Sequence, residues 1–403
     1  MNIIKFFNKA VAKISTNYWA IPACFVFGAI VLNLIAYYLD IYLNDTLKDI
    51  SFLAIKDAES ARTILSTIAT TMMTVAGVSF SMTLLAVVHA SSQIGPRILS
   101  GFLDDTGNQV TLGVLVACFT FGLLTLISVQ APSSSFYDNP EIAIPKLRIL
   151  LSLAGALAGV FSFIYFIHHV PLMIRTTYAV NRVGNKTIEE TQEFFTKHIS
   201  DKHPVAVSLE KKDYIHCHEL KPKRNGYLQL INFESLIKTS EKHQFQLRFK
   251  FSLGEFLTTE DVFVEIFSPQ KLSEETLGEI ENDIIYGGER SMQQDFQFGF
   301  YLLLEIGARA LSPGINDPFT FNECVDQLYA GLITLEKHHR KKLVVYNSDN
   351  NMVMRLPDFS KDEFIADLLE SLFYYAKDDP QARPYLQKKM QRFTNENIKI
   401  AQV

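Results

Sequence analysis

At 403 residues, 48% of them hydrophobic, the chain has room for two or three domains and carries more apolar residues than a soluble protein of that length. A formal net charge of -5, with no basic run interleaved with aromatics, excludes nucleic acid as a partner. The four cysteines, Cys24, Cys118, Cys217 and Cys324, stand far apart without CxxC spacing, so neither a disulfide framework nor a zinc site is expected.

In chain order, four stretches lack any Asp, Glu, Lys or Arg: residues 14–39, 63–96, 106–137 and 149–174. Each supplies the roughly 20 apolar residues that a helix needs to cross the hydrocarbon core. Four transmembrane helices are therefore predicted, over about 18–39, 64–88, 110–130 and 149–170, in a membrane domain of residues 1–175. Lys5, Lys9 and Lys13 precede the first stretch as in a signal peptide, but its apolar run is too long and no A-x-A-like site ends it. It is read as retained. The N-terminal tail has no acid, and Arg175, Arg182 and Lys186 follow the fourth span before Glu189. By the positive-inside rule both termini are expected to be cytoplasmic, in a multi-pass protein of the bacterial inner membrane whose first partner is the lipid bilayer.

In the second span, Thr63, Thr67, Thr70, Thr74, Gly77 and Ser81 recur at 4-3-4-3-4 spacing and share one helix face. Such a face either lets another backbone approach closely or offers hydroxyls to water and ions in a pore, and both readings stay open here. The span is longer than the bilayer core requires, so it is expected to project into the cytoplasm before Gly95 and Pro96 break it. The fourth span carries Ser152, Gly155, Gly159 and Ser162 on one face, the pattern of tight helix packing. No span core holds the acid or base that coupled transport uses, which favours a passive pore over a transporter. His89, His168 and His169 fall at the inner boundary, either as solvated anchors or as groups that sense pH.

HASSQIGPRILSGFLDDTGNQVTLGVL, residues 89–115, resembles a motif of the bacterial family of predicted membrane proteins with domain of unknown function 2254, in which S-P-R-[IL]-L is followed by an acidic turn, N-Q and L-G. Gly95 stands where that family often has serine. FIHHVP at 166–171, GYLQLINFESL at 226–236, GERSMQQD at 288–295 and ALSPGINDPFT at 310–320 continue the resemblance in order. It implies an integral membrane protein and assigns no residue a role.

Past Arg175 a helical connector is predicted over 176–203, a small β module over 204–268 and a mainly helical region over 269–403. The strands YLQLINF, FQLRFKFSL and DVFVEIF, with SLIKTSEKH as a helical insert, resemble half of a biotinyl-like barrel-sandwich module, without the MKM-type lysine that would carry a prosthetic group. Gln293 to Leu311 reads as one helix, and Asp317 before Pro318 as the cap of the next. ALSPGINDPFT is then a corner between helices. The other reading gathers Asn316 and Asp317 with Glu289, Arg290 and Asp295 into a polar site. KLVVYNSDNNMVMRL reads as a hairpin, Ser360 and Glu363 as a capping box, and a last helix is placed after Pro384.

GxGxxG, Walker A, HExxH and GxSxG are all absent, and the histidines at 216, 218, 338 and 339 lack partners at ligand spacing. No catalytic residue, metal or cofactor is expected, and a membrane hydrolase is only a third reading. The fold expected is an α-helical membrane protein with four transmembrane helices and a C-terminal cytoplasmic α+β domain containing the β module. The function expected is a homo-oligomeric passive channel for an ion or small solute, assembled or gated by that domain. The alternative is a membrane-anchored sensor or scaffold that binds a ligand or partner through it.

Overall fold

The computed structural model describes residues 19–47, 58–98, 105–129, 144–173, 175–199, 215–340, 342–349 and 351–395. Lys5, Lys9 and Lys13, most of both loops on the expected outer side, and the first residues of the expected β module lie outside the described residues. The chain divides into two compact units, Met1–Arg175 and Thr176–Val403.

The first unit contains α1 (Ala20–Leu47), α2 (Ala58–Gln93), α3 (Thr106–Ser128) and α4 (Lys146–Met173). All four are long and apolar enough to cross a membrane. In hydrocarbon a spanning segment must satisfy its own backbone groups, which a helix does. The ends are written locally: Gly95, at φ 125°, follows the last turn of α2, a 3-10 turn over Pro96–Ile98 comes next, and Asp105 caps α3 by accepting the Asn108 N–H. α3 packs against each of the other three helices. α2 meets them with Ala61, Leu65, Ala69, Met72, Ala76, Ser79, Thr83, Ala86 and Ala90, all buried. These small side chains let the helices approach closely. A Cβ at Gly159 would lie 2.6 Å from Met72 Sδ, and the Cys118 thiol donates to Gly155 O at 3.0 Å, so both glycines sit in the packing between helices of one bundle. The outward faces of α1 and α4 are large and apolar, with Phe27, Leu34, Leu157 and Phe161 exposed. Lipid suits them.

Polar contacts close the bundle in two layers. At one end Arg148 pairs with Asp40 at 2.8 Å and donates to Ser128 Oγ at 2.8 Å, while Arg62 donates to Val129 O at 2.8 Å. At the other end His169 meets Asp105 at 3.0 Å and Thr83 donates to Asn108 Oδ1 at 3.1 Å. Arg62 to Thr83, Asn108 to Ser128 and Arg148 to His169 are each separated by roughly 20 residues, about 30 Å of helix, which is the thickness of a bilayer core. Between the layers, Asn33 donates to Thr125 Oγ1 at 2.8 Å and leaves no amide donor facing lipid on that side.

The second unit begins with α5 (Thr176–Glu193), which continues into a π-helical turn over Phe194–His198. β1 (His216–Leu220), β2 (Gly226–Ile231), α6 (Phe233–His243), β3 (Gln246–Phe249), β4 (Phe256–Leu257) and β5 (Val264–Ser268) follow. Next come α7 (Glu274–Asn282), β6 (Ile284–Gly287), α8 (Phe296–Ala310), α9 (Pro318–His338), β7 (Val344–Tyr346), β8 (Met352–Arg355), α10 (Lys361–Ala376) and α11 (Ala382–Asn395). The strands form a five-stranded sheet, β1-β5-β3-β8-β7, and a three-stranded sheet, β4-β2-β6. All pairs are antiparallel except β3 with β8. Both sheets thus draw strands from beyond residue 268. α5, α8 and α9 pack together. Buried Phe195, Phe296, Phe359 and Phe364 form an aromatic run beside them, with ring centroids 5.1 to 6.4 Å apart. Ser360 caps α10, as its box predicts. The last helix starts at Ala382, two residues ahead of Pro384, because Asp379 accepts the Gln381 and Ala382 N–H groups and so sets an earlier first turn.

Candidate functional site

On α2 the buried alanine row and the hydroxyl row are different faces. Thr63, Thr67, Thr70, Thr74, Gly77 and Ser81 are all exposed, turned away from α1, α3 and α4. A Cβ at Gly77 would meet nothing within 4 Å. The bundle therefore packs through alanine, and the hydroxyl row is left over. Thr63, Thr67, Thr74 and Ser81 each donate to the carbonyl one turn back, to Glu59, Thr63, Thr70 and Gly77, at 2.7 to 2.9 Å. With their protons committed to the helix, these oxygens present lone pairs outward. The row spans nearly the whole depth between the two polar layers.

The histidines are not brought together. His89 and His168 are exposed, whereas His169 turns inward to Asp105 and stacks on Tyr165 with ring centroids 5.1 Å apart. Gly107 leaves room for this stack, since a Cβ there would lie 2.6 Å from the Tyr165 hydroxyl. Asp105 Oδ1 thus accepts from both the Asn108 N–H that begins α3 and the His169 ring on α4.

The five residues of the expected polar site separate into two places. Asp295 caps the start of α8, while Asn316 and Asp317 lie past its far end, 15 residues and about 22 Å of helix away. There Asn316 takes φ 50°, and Asp317 accepts the Phe319 and Thr320 N–H groups at 3.1 Å, with Pro318 in the first turn of α9. These contacts build the corner. The Glu289 side chain is exposed and its carbonyl accepts from Gln229 Nε2 at 2.6 Å.

Arg290 and Asp295 do come together. The guanidinium donates through Nε at 2.9 Å and Nη2 at 2.8 Å to one oxygen of the carboxylate, Oδ2, and lies over the rings of Phe298 and Tyr301. The other oxygen accepts the Phe298 N–H at 3.2 Å. Gly254, at φ 83°, closes the third side, where a Cβ would fall 2.0 Å from Asp295 Oδ2. Burial pushes the Asp295 carboxyl up to about 6 although Arg290 draws it down. Elsewhere in this unit burial pushes the Cys324 thiol far up, which makes it unreactive.

Beside this pair opens a cleft of about 530 Å³ between α5 and the β2–α6 junction, lined by Lys186, Glu190, Lys197, Asn232, Gln293 and Gln294 among others. Glu190 is buried, paired with Lys186 at 2.9 Å and accepting the Gln294 N–H at 2.9 Å. The Gln294 side chain accepts the Ile231 N–H at 2.9 Å and donates to Ile231 O at 3.0 Å, as a neighbouring strand would. Two sequence landmarks far apart in the chain, GYLQLINFESL and GERSMQQD, are thus two walls of one cleft. Of these residues the sequence marks Glu289, Arg290 and Asp295 as a candidate site; the two landmarks also hold Asn232, Gln293 and Gln294, whereas no local pattern marks Lys186, Glu190 or Lys197. Among the described residues no group of three or more His, Cys, Asp and Glu is placed to hold a metal ion.

Four apolar helices closed by polar layers at a bilayer's spacing, with a C-terminal unit of helices and small sheets, define a multi-pass membrane protein. Residues 15–392 match the family of predicted membrane proteins with domain of unknown function 2254, and the chain belongs to that family. It is similar to uncharacterized proteins of Mycobacterium bovis and Mycobacterium tuberculosis, 27% identical over 276 residues that cover 67% of this chain and 51% of theirs. The chain spans about half the length of these curated relatives. No solved structure matches it.

Proposed function

We propose that the protein is a homo-oligomeric passive channel of the bacterial inner membrane, in which copies of α2 turn the Thr63-to-Ser81 row toward a shared axis. One observation carries this reading: a row of hydroxyl and glycine positions on α2 faces out of the bundle between the two polar layers, flanked by exposed Met73, Phe80 and Leu84, whereas the outward faces of α1 and α4 are large and apolar. A second copy fits that row better than lipid does, because small residues allow backbones to approach. Outward lone pairs, together with Glu59 one turn before Thr63, favour a cation over an anion as the permeating species. In this reading the C-terminal unit is cytoplasmic and assembles or gates the pore, and no reaction is assigned to it. The mycobacterial relatives support a bacterial inner-membrane location.

Flux from proteoliposomes tests it. The wild type is expected to pass a monovalent cation, and replacing Thr70 and Thr74 together by leucine is expected to abolish the flux while leaving the fold intact. An inert wild type, or undiminished flux in the double variant, refutes the pore. Cross-linking through Gly77→Cys tests the shared axis independently.

The cleft favours a second reading, a membrane-anchored sensor whose ligand sits between α5 and α6. A copy of the protein that binds no neighbour through α2 yet responds to a soluble ligand would establish that reading instead.

A further inference from the structure

We propose that the corner between α8 and α9 is a second lipid contact of the C-terminal unit, in which Phe319, together with Tyr178 at the start of α5, sits at the headgroup boundary of the leaflet from which α4 emerges. The inference rests on the four spans and on packing within the C-terminal unit, and does not depend on the pore.

The length of the tether fixes which end of the unit meets the membrane. α4 ends at Met173, one turn past the polar layer that holds His169, and α5 begins at Thr176. The chain from Met173 to Thr177 spans at most about 14 Å even when fully extended. The first turn of α5 therefore stays within reach of the bilayer surface.

The direction of α9 then places the corner at that same end. Thr177 Oγ1 donates to Glu323 Oε1 at 3.1 Å, and Gln327 Nε2 donates to Asn181 Oδ1 at 2.7 Å. These contacts are one turn apart on both helices and in the same order, so α5 and α9 run parallel and begin at the same end of the unit. Phe319 stands one turn before Glu323, on the same face of α9. α8 runs the other way. Its start lies by the far end of α5, where Glu190 accepts the Gln294 N–H, and its last turn leads into the corner.

The chemistry of the corner suits a lipid boundary. Phe319 is 72% exposed although Thr320 and Phe321 beside it are buried, and Tyr178 is exposed as well. A scattered exposed aromatic needs no explanation; two of them at the tethered end do, because aromatic rings favour the level of the headgroups. Asp317 is the one ionisable side chain in residues 310–320, and it is already engaged by the Phe319 and Thr320 N–H groups and by the Thr320 hydroxyl at 2.6 Å. No uncommitted charge on the corner opposes burial of the Phe319 ring. Arg175 and Arg182, both exposed, flank Tyr178 and put cations where lipid phosphates lie. Held at the tether and again at Phe319, the unit resists swinging about the link between α4 and α5.

Fluorescence quenching by brominated phosphatidylcholine tests the contact on the full chain in proteoliposomes. Trp19 is the single tryptophan, so Trp19→Phe supplies a silent background. In it, Phe319→Trp is expected to lose about half of its emission when bromine sits near the headgroup end of the acyl chains, and less when it sits near their methyl ends, because an interfacial ring stays shallow. Phe256→Trp, an exposed position close to Gly254 and hence to the start of α8 at the far end of α5, is expected to keep its emission. A further pair of variants separates anchoring from proximity: Tyr178→Trp is expected to be quenched too, and adding Phe319→Ser, at a position the core does not use, is expected to reduce that quenching about twofold. A Phe319→Trp ring that bromine leaves bright, as it would be if seated on protein, overturns the proposal. So does equal quenching at position 256, or Tyr178→Trp quenching that Phe319→Ser leaves unchanged.

Discussion

Among the described residues each unit holds a buried aspartate paired with an arginine, and the two pairs differ in their surroundings. In the membrane unit Asp40 and Arg148 are 10% and 7% exposed at their side chains, and the pair is fully engaged: Asp40 also accepts the Leu147 N–H at 2.9 Å, and Arg148 also meets Ser128 Oγ and the ring of Tyr37. In the C-terminal unit Asp295 is just as hidden, but Arg290 is partly open to water and Asp295 follows Gln294, which holds φ 63° and lines the cleft. The first pair closes a bundle end. The second caps the start of α8. What differs is the freedom of the arginine.

Removing each arginine breaks or sharpens this comparison. Arg148→Ala leaves a buried carboxylate without its counter-charge and is expected to cost about 3–5 kcal/mol, read as a fall in the unfolding midpoint in detergent. Arg290→Ala is expected to cost less, about 1–3 kcal/mol, because water reaches that site. Equal losses would mean that exposure does not separate the two pairs. Gly159→Val pushes side-chain atoms into Met72 and Leu115 and is expected to destabilise the membrane unit by about 1–3 kcal/mol, read as a fall in its unfolding midpoint in detergent. Asp317→Ala removes the cap of α9 at about 1 kcal/mol, measured by denaturant unfolding of the C-terminal unit. The smallest effect is expected for Asn33→Leu, about 0.6 kcal/mol, because the Thr125 hydroxyl can still donate to Phe121 O at 2.8 Å.

What could be read from the chain followed from how local each feature is. The four spans declare themselves through long runs without charge, and the corner at 310–320 through Asp317 before Pro318, because span and cap are both decided within a few residues. The hydroxyl row was visible as a periodicity, but its direction was not: alanines on the next face also recur at helical spacing, and only three neighbouring helices decide which row is inside. The sheets were harder still, since β2 finds β6 and β3 finds β8 across long stretches of chain. The Arg290–Asp295 pair is half legible. Arg290 and Asp295 lie five apart, yet Gly254, which closes the third side of the carboxylate, joins them through a contact no local pattern announces.

The 36 residues of α2 amount to about 54 Å of helix. Inclining it within the usual range of up to about 40° still leaves it longer than a core of about 30 Å. Some of its exposed apolar side chains, Leu85 and Val88 among them, must therefore meet headgroups in a thin bilayer and acyl chains in a thick one. Membranes of longer-chain lipids should accordingly suit this protein better than short-chain ones.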